Sequence, residues 1–382
     1  MKPMMMSTLI GLLIILFIPQ FSDAAGNDYH KGNRSIQKQL EAFAQAEQQD
    51  FEQRGLLLQN QDLTEYLTKV TEKLRTGAAS SRPGLRVLVL KHTSEDAFVY
   101  PNGICYLSTG LLTCLDNEDQ LAMAIAHEMV HYLQQHSLRA YYQSRPSLQI
   151  SLSNPHERVS SEDQKKERPL PKMLMSAELE ADREGLWLLA AAGYRSSEAL
   201  GLMKHLITIS EKTAGGAIDH PAVRATLNRR IEALTSALAE AKPSDGKPSV
   251  PVAEGTRFRH LLAPAFLANA RAAITNENWG LAKENIDHYL MVDSKDPKAY
   301  YLLGEILWQK SRDPNNQKAL DFFRRAIALN TQYAPPYRAM GLMHLKAGRT
   351  GKARDYLETY LALIPGADER LYIQQYLNLC EK

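Results

Sequence analysis

The chain has 382 residues, with 45 Lys and Arg against 43 Asp and Glu, for a formal charge of +2. Its basic residues are dispersed rather than clustered, which removes the electrostatic argument for a nucleic-acid partner. Three cysteines, Cys105, Cys114 and Cys380, are too few for a disulfide scaffold. Cys105 and Cys114 either pair with each other or stay as two buried thiols.

At the start of the chain, Lys2, the apolar run Leu9 to Ile18 and the small residues Ser22-Asp23-Ala24 read as a signal peptide, 1–24, cut after Ala24. The alternative is a membrane anchor, for which the apolar run is short. No Cys follows the cut, which argues against a lipid-modified N-terminus. The remaining roughly 358 residues suffice for two domains and contain no further long apolar run, so no transmembrane span is expected after signal removal.

Asn27 to Arg75 has helical periodicity, with one stripe at Ile36, Leu40 and Phe43 and another at Leu63, Tyr66, Leu67, Val70 and Leu74. Ser80 to Gly84 interrupts it. Leu85 to Leu90, Ala97 to Tyr100 and Ile104 to Leu107 read as strands, with a turn at Pro101-Asn102-Gly103. They predict a small sheet that is either plain core or offers an edge, near Ala97 and Phe98, to an extended peptide.

The next stretch, Leu121 to Arg139, contains His127-Glu128-Met129-Val130-His131. Asp116 or Asn117 can cap a helix here, carried on by Leu121, Ala122, Ile125, Ala126, Met129 and Leu133. Residues four apart on a helix stand one turn above each other. His127 and His131 can therefore hold one metal ion, and Glu128 beside them can deprotonate a water there. His136 falls half a turn out of phase and reads as a surface or packed histidine. The remaining histidines between His30 and His344, His220 apart, have no partner at ligand spacing.

Tyr141 to Lys172 is polar, with four prolines and the charge run Glu162 to Arg168, and reads as a long surface loop. Helical periodicity resumes from Leu174 past Ala192, with Gly193 as its stop. Further helices follow over Ser197 to Ile209 and from Pro221 to Ala239. Four carboxylates in the first of these, Glu178, Glu180, Asp182 and Glu184, compete as a third ligand. Glu178, Ala181, Asp182, Gly185 and Leu189 share a small, apolar face, whereas Glu180, Arg183, Glu184 and Trp187 share a wetter one. A ligand has to reach inward, which selects Glu178. Asp182, one turn on, can accept a hydrogen bond from a ligand histidine and fix its tautomer.

Lys242 to Pro251 is a Pro/Ser/Gly/Lys stretch typical of linkers. Beyond it, Ala282, Ala319 and Ala353 recur at spacings of 37 and 34, and Gly304 and Gly341 at 37. Bulky Ile286, Phe323 and Leu357 follow each Ala by four. This resembles the tetratricopeptide repeat, with extra residues in the Ser311 to Asn316 loop and a capping helix over Leu371 to Leu379. Asn269-Ala270 replace the usual Leu-Gly in the first repeat. The expected boundaries are a domain over 25–241, a linker over 242–256 and a repeat domain over 257–382.

H-E-x-x-H followed about fifty residues later by E-x-x-x-D resembles the HtpX/BepA-type zinc metallopeptidases, a gluzincin family. The segments AFVYPNGICYLSTGLL and ELEADREG are similar to that family's strand-turn-strand and third-ligand segments, and the leader and repeats resemble its periplasmic BepA-like branch. The resemblance implies an α+β zincin-like peptidase domain, helical with a small sheet, followed by an all-α tetratricopeptide-repeat solenoid. It implies one zinc on His127, His131 and Glu178, Glu128 as general base and Asp182 behind the ligands. It also implies a periplasmic endopeptidase acting on misfolded or stalled outer-membrane proteins. The repeats would bind a partner in the outer-membrane assembly machinery. The rival is a chaperone or assembly adaptor with a latent site.

Two departures stand out. Tyr141 to Lys172 is polar where family members often carry an apolar segment. Six residues after His220-Pro221 begins, where an Arg is usual, stands Thr226, with Arg224, Arg229 and Arg230 nearby. The resemblance puts His220 near the metal, either as an oxyanion donor or as a plug that holds the enzyme latent. A plain helix-start histidine is the third option.

Overall fold

The computed structural model describes residues 29–77, 84–140, 172–214, 221–240, 252–364, 366 and 370–381. The leader, residues 80–83, residues 141–171, His220 and residues 241–251 lie outside them, and so do the readings made there. The chain forms two compact units, Met1–Leu261 and Leu262–Lys382. The division falls inside a helix that starts at Val252, so residues 252–256, expected in the linker, are helical.

The first unit opens with helices α1 (Tyr29–Gln53) and α2 (Gln61–Arg75). Asn60 caps α2 by accepting from the Leu63 amide at 2.9 Å, and Leu63, Leu67, Val70 and Leu74 then bury one stripe of it. Three strands follow, β1 (Arg86–Leu90), β2 (Ala97–Val99) and β3 (Ile104–Ser108), in the order β1-β3-β2. β3 is parallel to β1 and antiparallel to β2, and as the central strand it is buried along its whole length. Gly103 (φ 80) supplies the left-handed residue that lets the β2–β3 hairpin close. Phe98 stacks on Tyr106 at 5.1 Å, and Tyr100 and Phe51 meet the same ring edge-on at 5.8 and 5.4 Å.

β3 runs straight into a short helix, α3 (Thr109–Cys114), which sequence periodicity did not anticipate because it is only six residues long. Ser108 ends the strand and caps the helix at once, its Oγ accepting from Leu111 at 3.0 Å. Then comes α4 (Glu118–Leu133), the core helix, with every residue from Asp119 to Tyr132 buried. Asn117 caps it, accepting from Gln120 at 3.0 Å. Its first-turn acids favour the positive end of the helix dipole and also tie it down. Glu118 accepts from the hydroxyls of Tyr66 (2.9 Å) and Tyr194 (3.1 Å), and Asp119 from the amide and Nε of Arg195 (2.9 and 2.8 Å).

Three more helices complete the surroundings of α4: α5 (Lys172–Ala191), α6 (Glu198–Ala214) and α7 (Pro221–Glu240). α5 lies against α4 at Gly185, where an added Cβ would come within 3.3 Å of the His127 backbone nitrogen. That close approach brings the carboxylates of α5 up to the histidines of α4. α5 ends at Gly193 (φ 73), the left-handed stop that the sequence suggested.

The second unit is built of helix pairs: α8 (Val252–Thr275) with α9 (Trp279–Val292), α10 (Pro297–Ser311) with α11 (Gln317–Leu329), and α12 (Pro335–Lys346) with α13 (Thr350–Leu363). A last helix, α14 (Arg370–Leu379), closes the series. The recurring Ala282, Ala319 and Ala353 are fully buried. In the first pair, Asn269 donates to Asn285 at 3.3 Å, a polar contact where the repeat pattern is weakest. The lengthened loop of the second pair is held by Arg349, which donates to Asn315 at 2.6 Å. Ile373 and Leu377 of α14 pack with Leu357 and Tyr360 of α13.

Gly304 tests this packing. A Cβ there would stand 2.5 Å from the Phe323 ring, which is itself fully buried. Gly304→Val should therefore cost about 1–3 kcal/mol, the usual range for overpacking. Urea unfolding followed by circular dichroism would read it; an unchanged midpoint would contradict the packing described.

Candidate metal centre

His127 and His131, one turn apart on α4, bring their Nε2 atoms to 3.0 Å from each other. Glu178 comes from α5 to meet them, Oε2 at 3.4 Å from His127 Nε2 and Oε1 at 3.4 Å from His131 Nε2. One donor atom from each of the three residues can be chosen so that all lie within 4.8 Å of one another. Tetrahedral metal–nitrogen bonds of about 2.0–2.1 Å separate two ligand nitrogens by about 3.3 Å, close to what is seen. The set fits a divalent metal ion.

Glu128 adds the second mark of a reactive centre. Its carboxylate is buried, and Oε1 has no hydrogen-bond partner among the described residues. A buried acceptor left without a donor is costly, and in native proteins it asks for a reason. Burial raises its pKa, against the opposing pull of His131 and His127. Cys105 lies close enough for Glu128 to add to the effect of burial in pushing its thiol well up. Both Cys105 and Cys114 are free thiols, which resolves the pairing left open by the sequence.

Behind the first ring stands a buried ion-pair cluster. Asp182 Oδ1 lies 3.0 Å from His127 Nδ1, so the ring can donate there and keep Nε2 as its lone-pair nitrogen. Arg230 of α7, fully buried, holds Asp182 with two bonds of 2.7 Å from Nε and Nη2, and its Nη1 lies 3.0 Å from Glu178 Oε2. The last contact is an ion pair without hydrogen-bond alignment, which leaves Glu178 Oε2 turned to the centre. Burial pushes both carboxyls up, but Arg230 and the histidines outweigh it: Glu178 falls well below the usual carboxylate range, and Asp182 is lowered too. Burial and Arg230 press His127 down, yet Asp182 and Glu178 win and raise it to about 9.

Arg230 answers the question the sequence left among Arg224, Arg229 and Arg230, for the other two are exposed. Thr226, the position six after His220, is buried one turn earlier on the same face. A signal existed: Arg230 falls in register with Leu227 and Leu234 on the buried stripe of α7.

Three further sequence readings meet the structure here. β2 is an edge strand beside α4. Asp96 accepts from Ser108 and Tyr100 donates to Ile104, so by alternation Phe98 also pairs inward with β3, while the backbone groups of Ala97 and Val99 point away. Of the two residues named for the edge, only Ala97 presents its backbone outward. α4 does not continue to Arg139 but stops at Leu133, and residues 136–140 form a separate helical stretch. His136 is consequently buried, with Nδ1 2.8 Å from His131 Nδ1.

Removing Arg230 should be severe. Arg230→Leu leaves two buried carboxylates facing each other, a loss on the order of 3–5 kcal/mol. Arg230→Lys should recover only part of it, since an ammonium cannot make the paired contact with Asp182. Chemical denaturation of the metal-free protein measures both; a neutral Arg230→Leu would refute the clamp.

Residues 59–244 match the family described as Peptidase family M48. Over 146 residues, 37% of this chain, the sequence is 28% identical to the beta-barrel assembly-enhancing protease of Escherichia coli (strain K12), covering 30% of that protein. Over 106 residues, 28% of this chain, it is 31% identical to the E3 SUMO-protein ligase RanBP2 of Homo sapiens, covering 3% of it. The chain thus spans less than a third of the length of these curated relatives. Among solved structures, the TPR2AB-domain:pHSP90-complex of yeast Sti1 aligns with 69% of this chain and 85% of that one, at 15% identity and a TM-score of 0.27.

Proposed function

We propose, from the match of residues 59–244 to Peptidase family M48, that the chain is a zinc-dependent endopeptidase of the cell envelope. The observation that carries the reading is the unpartnered, buried Oε1 of Glu128 beside the converging His127, His131 and Glu178. One zinc ion held by those three residues supplies a Lewis acid for the scissile carbonyl and lowers the pKa of water at the site. Glu128 takes a proton from the attacking water as oxygen bonds to the carbonyl carbon. It then hands that proton to the departing amine as the C–N bond breaks. Asp182 and Arg230 keep His127 oriented, and an extended substrate adding to β2 would first have to uncover the side of Ala97 and Val99, which is buried here.

In this reading, residues 25–241 carry catalysis and residues 257–382 bind a partner or deliver substrate. Its substrates in this proposal are misfolded or stalled outer-membrane proteins and its location the periplasm, reached by the leader 1–24; the E. coli relative is named a protease that enhances beta-barrel assembly. No helix among the described residues is long and apolar enough to cross a membrane. His220 serves as a plug whose imidazole competes for the metal and keeps the enzyme latent.

Casein cleavage by the purified mature chain, with and without chelator, tests the reading together with zinc analysis. Glu128→Gln should abolish cleavage and keep the zinc, whereas Glu178→Ala should lose most of the metal. Full cleavage by Glu128→Gln would sink the proposal. A parent chain that holds zinc, binds partners and never cleaves would favour the adaptor role instead. For the plug, His220→Ala should raise cleavage; an equal or lower rate rejects it.

A further inference from the structure

α4 ends two residues after His131, and the way it ends has a chemical consequence. Gln135 takes a left-handed conformation (φ 54), which a residue with a Cβ adopts only at a cost. The chain thereby leaves the helix axis, and His136 returns beneath the ring of His131 instead of emerging on the far side. Its Nδ1 stands 2.8 Å from His131 Nδ1, the two rings meeting edge-on at 4.8 Å. On its other side, His136 Nε2 stands 3.3 Å from Glu180 Oε2. Glu180 comes from α5, two residues after Glu178, and Arg139 lies 3.5 Å from the same oxygen.

Proton positions on these rings are inferred from their partners, and here only one assignment serves all three. If His131 offers the Nε2 lone pair to the centre, its proton sits on Nδ1. That N–H then donates to His136 Nδ1, which has to be the unprotonated nitrogen of a neutral ring. The proton of His136 is therefore on Nε2, where it donates to Glu180.

Resting on the metal-site reading above, we propose that His136, backed by Glu180, is the positioning residue for His131, fixing its tautomer and ring angle. His127 has its counterpart in Asp182 and Arg230. α5 then supplies three acids in turn: Glu178 toward the centre, Glu180 behind one histidine and Asp182 behind the other. The left-handed Gln135 is the backbone feature that puts His136 in place.

The test is zinc affinity of the full mature chain by chelator competition, with folding checked by circular dichroism. His136→Leu fills the space but offers no acceptor, and should weaken zinc binding by about 10–100-fold, as loss of such orienting partners does. His136→Asn, whose amide oxygen can accept from His131 Nδ1, should recover much of the loss. Glu180→Gln should stay near the parent, since its amide oxygen still accepts, and Glu180→Ala should fall between. Parental affinity in His136→Leu, or an equal loss in His136→Asn and His136→Leu, would overturn the inference. His131→Ala separates the two levels of the argument. If it keeps its zinc, both the metal-site reading and this inference fall. If it loses zinc while His136→Leu binds like the parent, only the inference falls.

Discussion

Arg230 lies buried on α7 with its guanidinium between Asp182 and Glu178 of α5. Two carboxylates one turn apart on the same buried face would repel and would shed their charge in a low-dielectric interior. With the guanidinium between them both stay ionised, and both are needed that way: Glu178 to face the histidines, Asp182 to accept from His127. Because Asp182 fixes one nitrogen of that ring, the other is left for the centre. The geometry of the three-residue cluster thus descends from a single cation that belongs to none of its members. The arrangement also binds α7, α5 and α4 together, so the site cannot be assembled by α4 alone.

The centre carries local costs of its own. An unpartnered oxygen on Glu128 and a left-handed Gln135 flank the histidines, and Gly185 lets α5 approach the backbone of His127 closely. Around them stand a capped α2, a fully paired central strand and a core helix tied at its N-terminus by two tyrosines and an arginine. Strain of this kind survives when surrounding contacts over-determine it, and it collects where chemistry needs a group that folding alone would have satisfied. Glu128 is such a group, since a carboxylate fully occupied by donors would be a poor base.

Much of this was legible in the sequence for a specific reason. Helical period fixes which residues share a face, so His127 with His131, and Glu178 with Asp182 and Gly185, could be grouped without coordinates. The same period set the repeat register, because Ala282, Ala319 and Ala353 fall on the buried face of their helices. Where period failed, something broke it. His136 looked out of phase because α4 was carried on past Leu133, and nothing in Gln134-Gln135 resembles a glycine or proline stop. α3 is too short to show a period at all. Phe98 was named with Ala97 at the open edge, but which backbone groups point outward depends on the register of β2 against β3.

By itself, then, the sequence determined the element types and the content of each face: the H-E-x-x-H helix, the acid-bearing helix after it, the small sheet and the helix-pair repeats. These are short-range properties, set by spacings within one element. The tertiary structure decided everything that joins elements remote in the chain. It chose Arg230 over Arg224 and Arg229, left Cys105 and Cys114 as separate thiols, turned Ala97 rather than Phe98 outward, and set His136 and Glu180 behind His131. Those choices depend on how close two helices approach and on where a buried charge finds its partner. Such energies arise only when α4, α5 and α7 pack together, and no spacing along the chain records them.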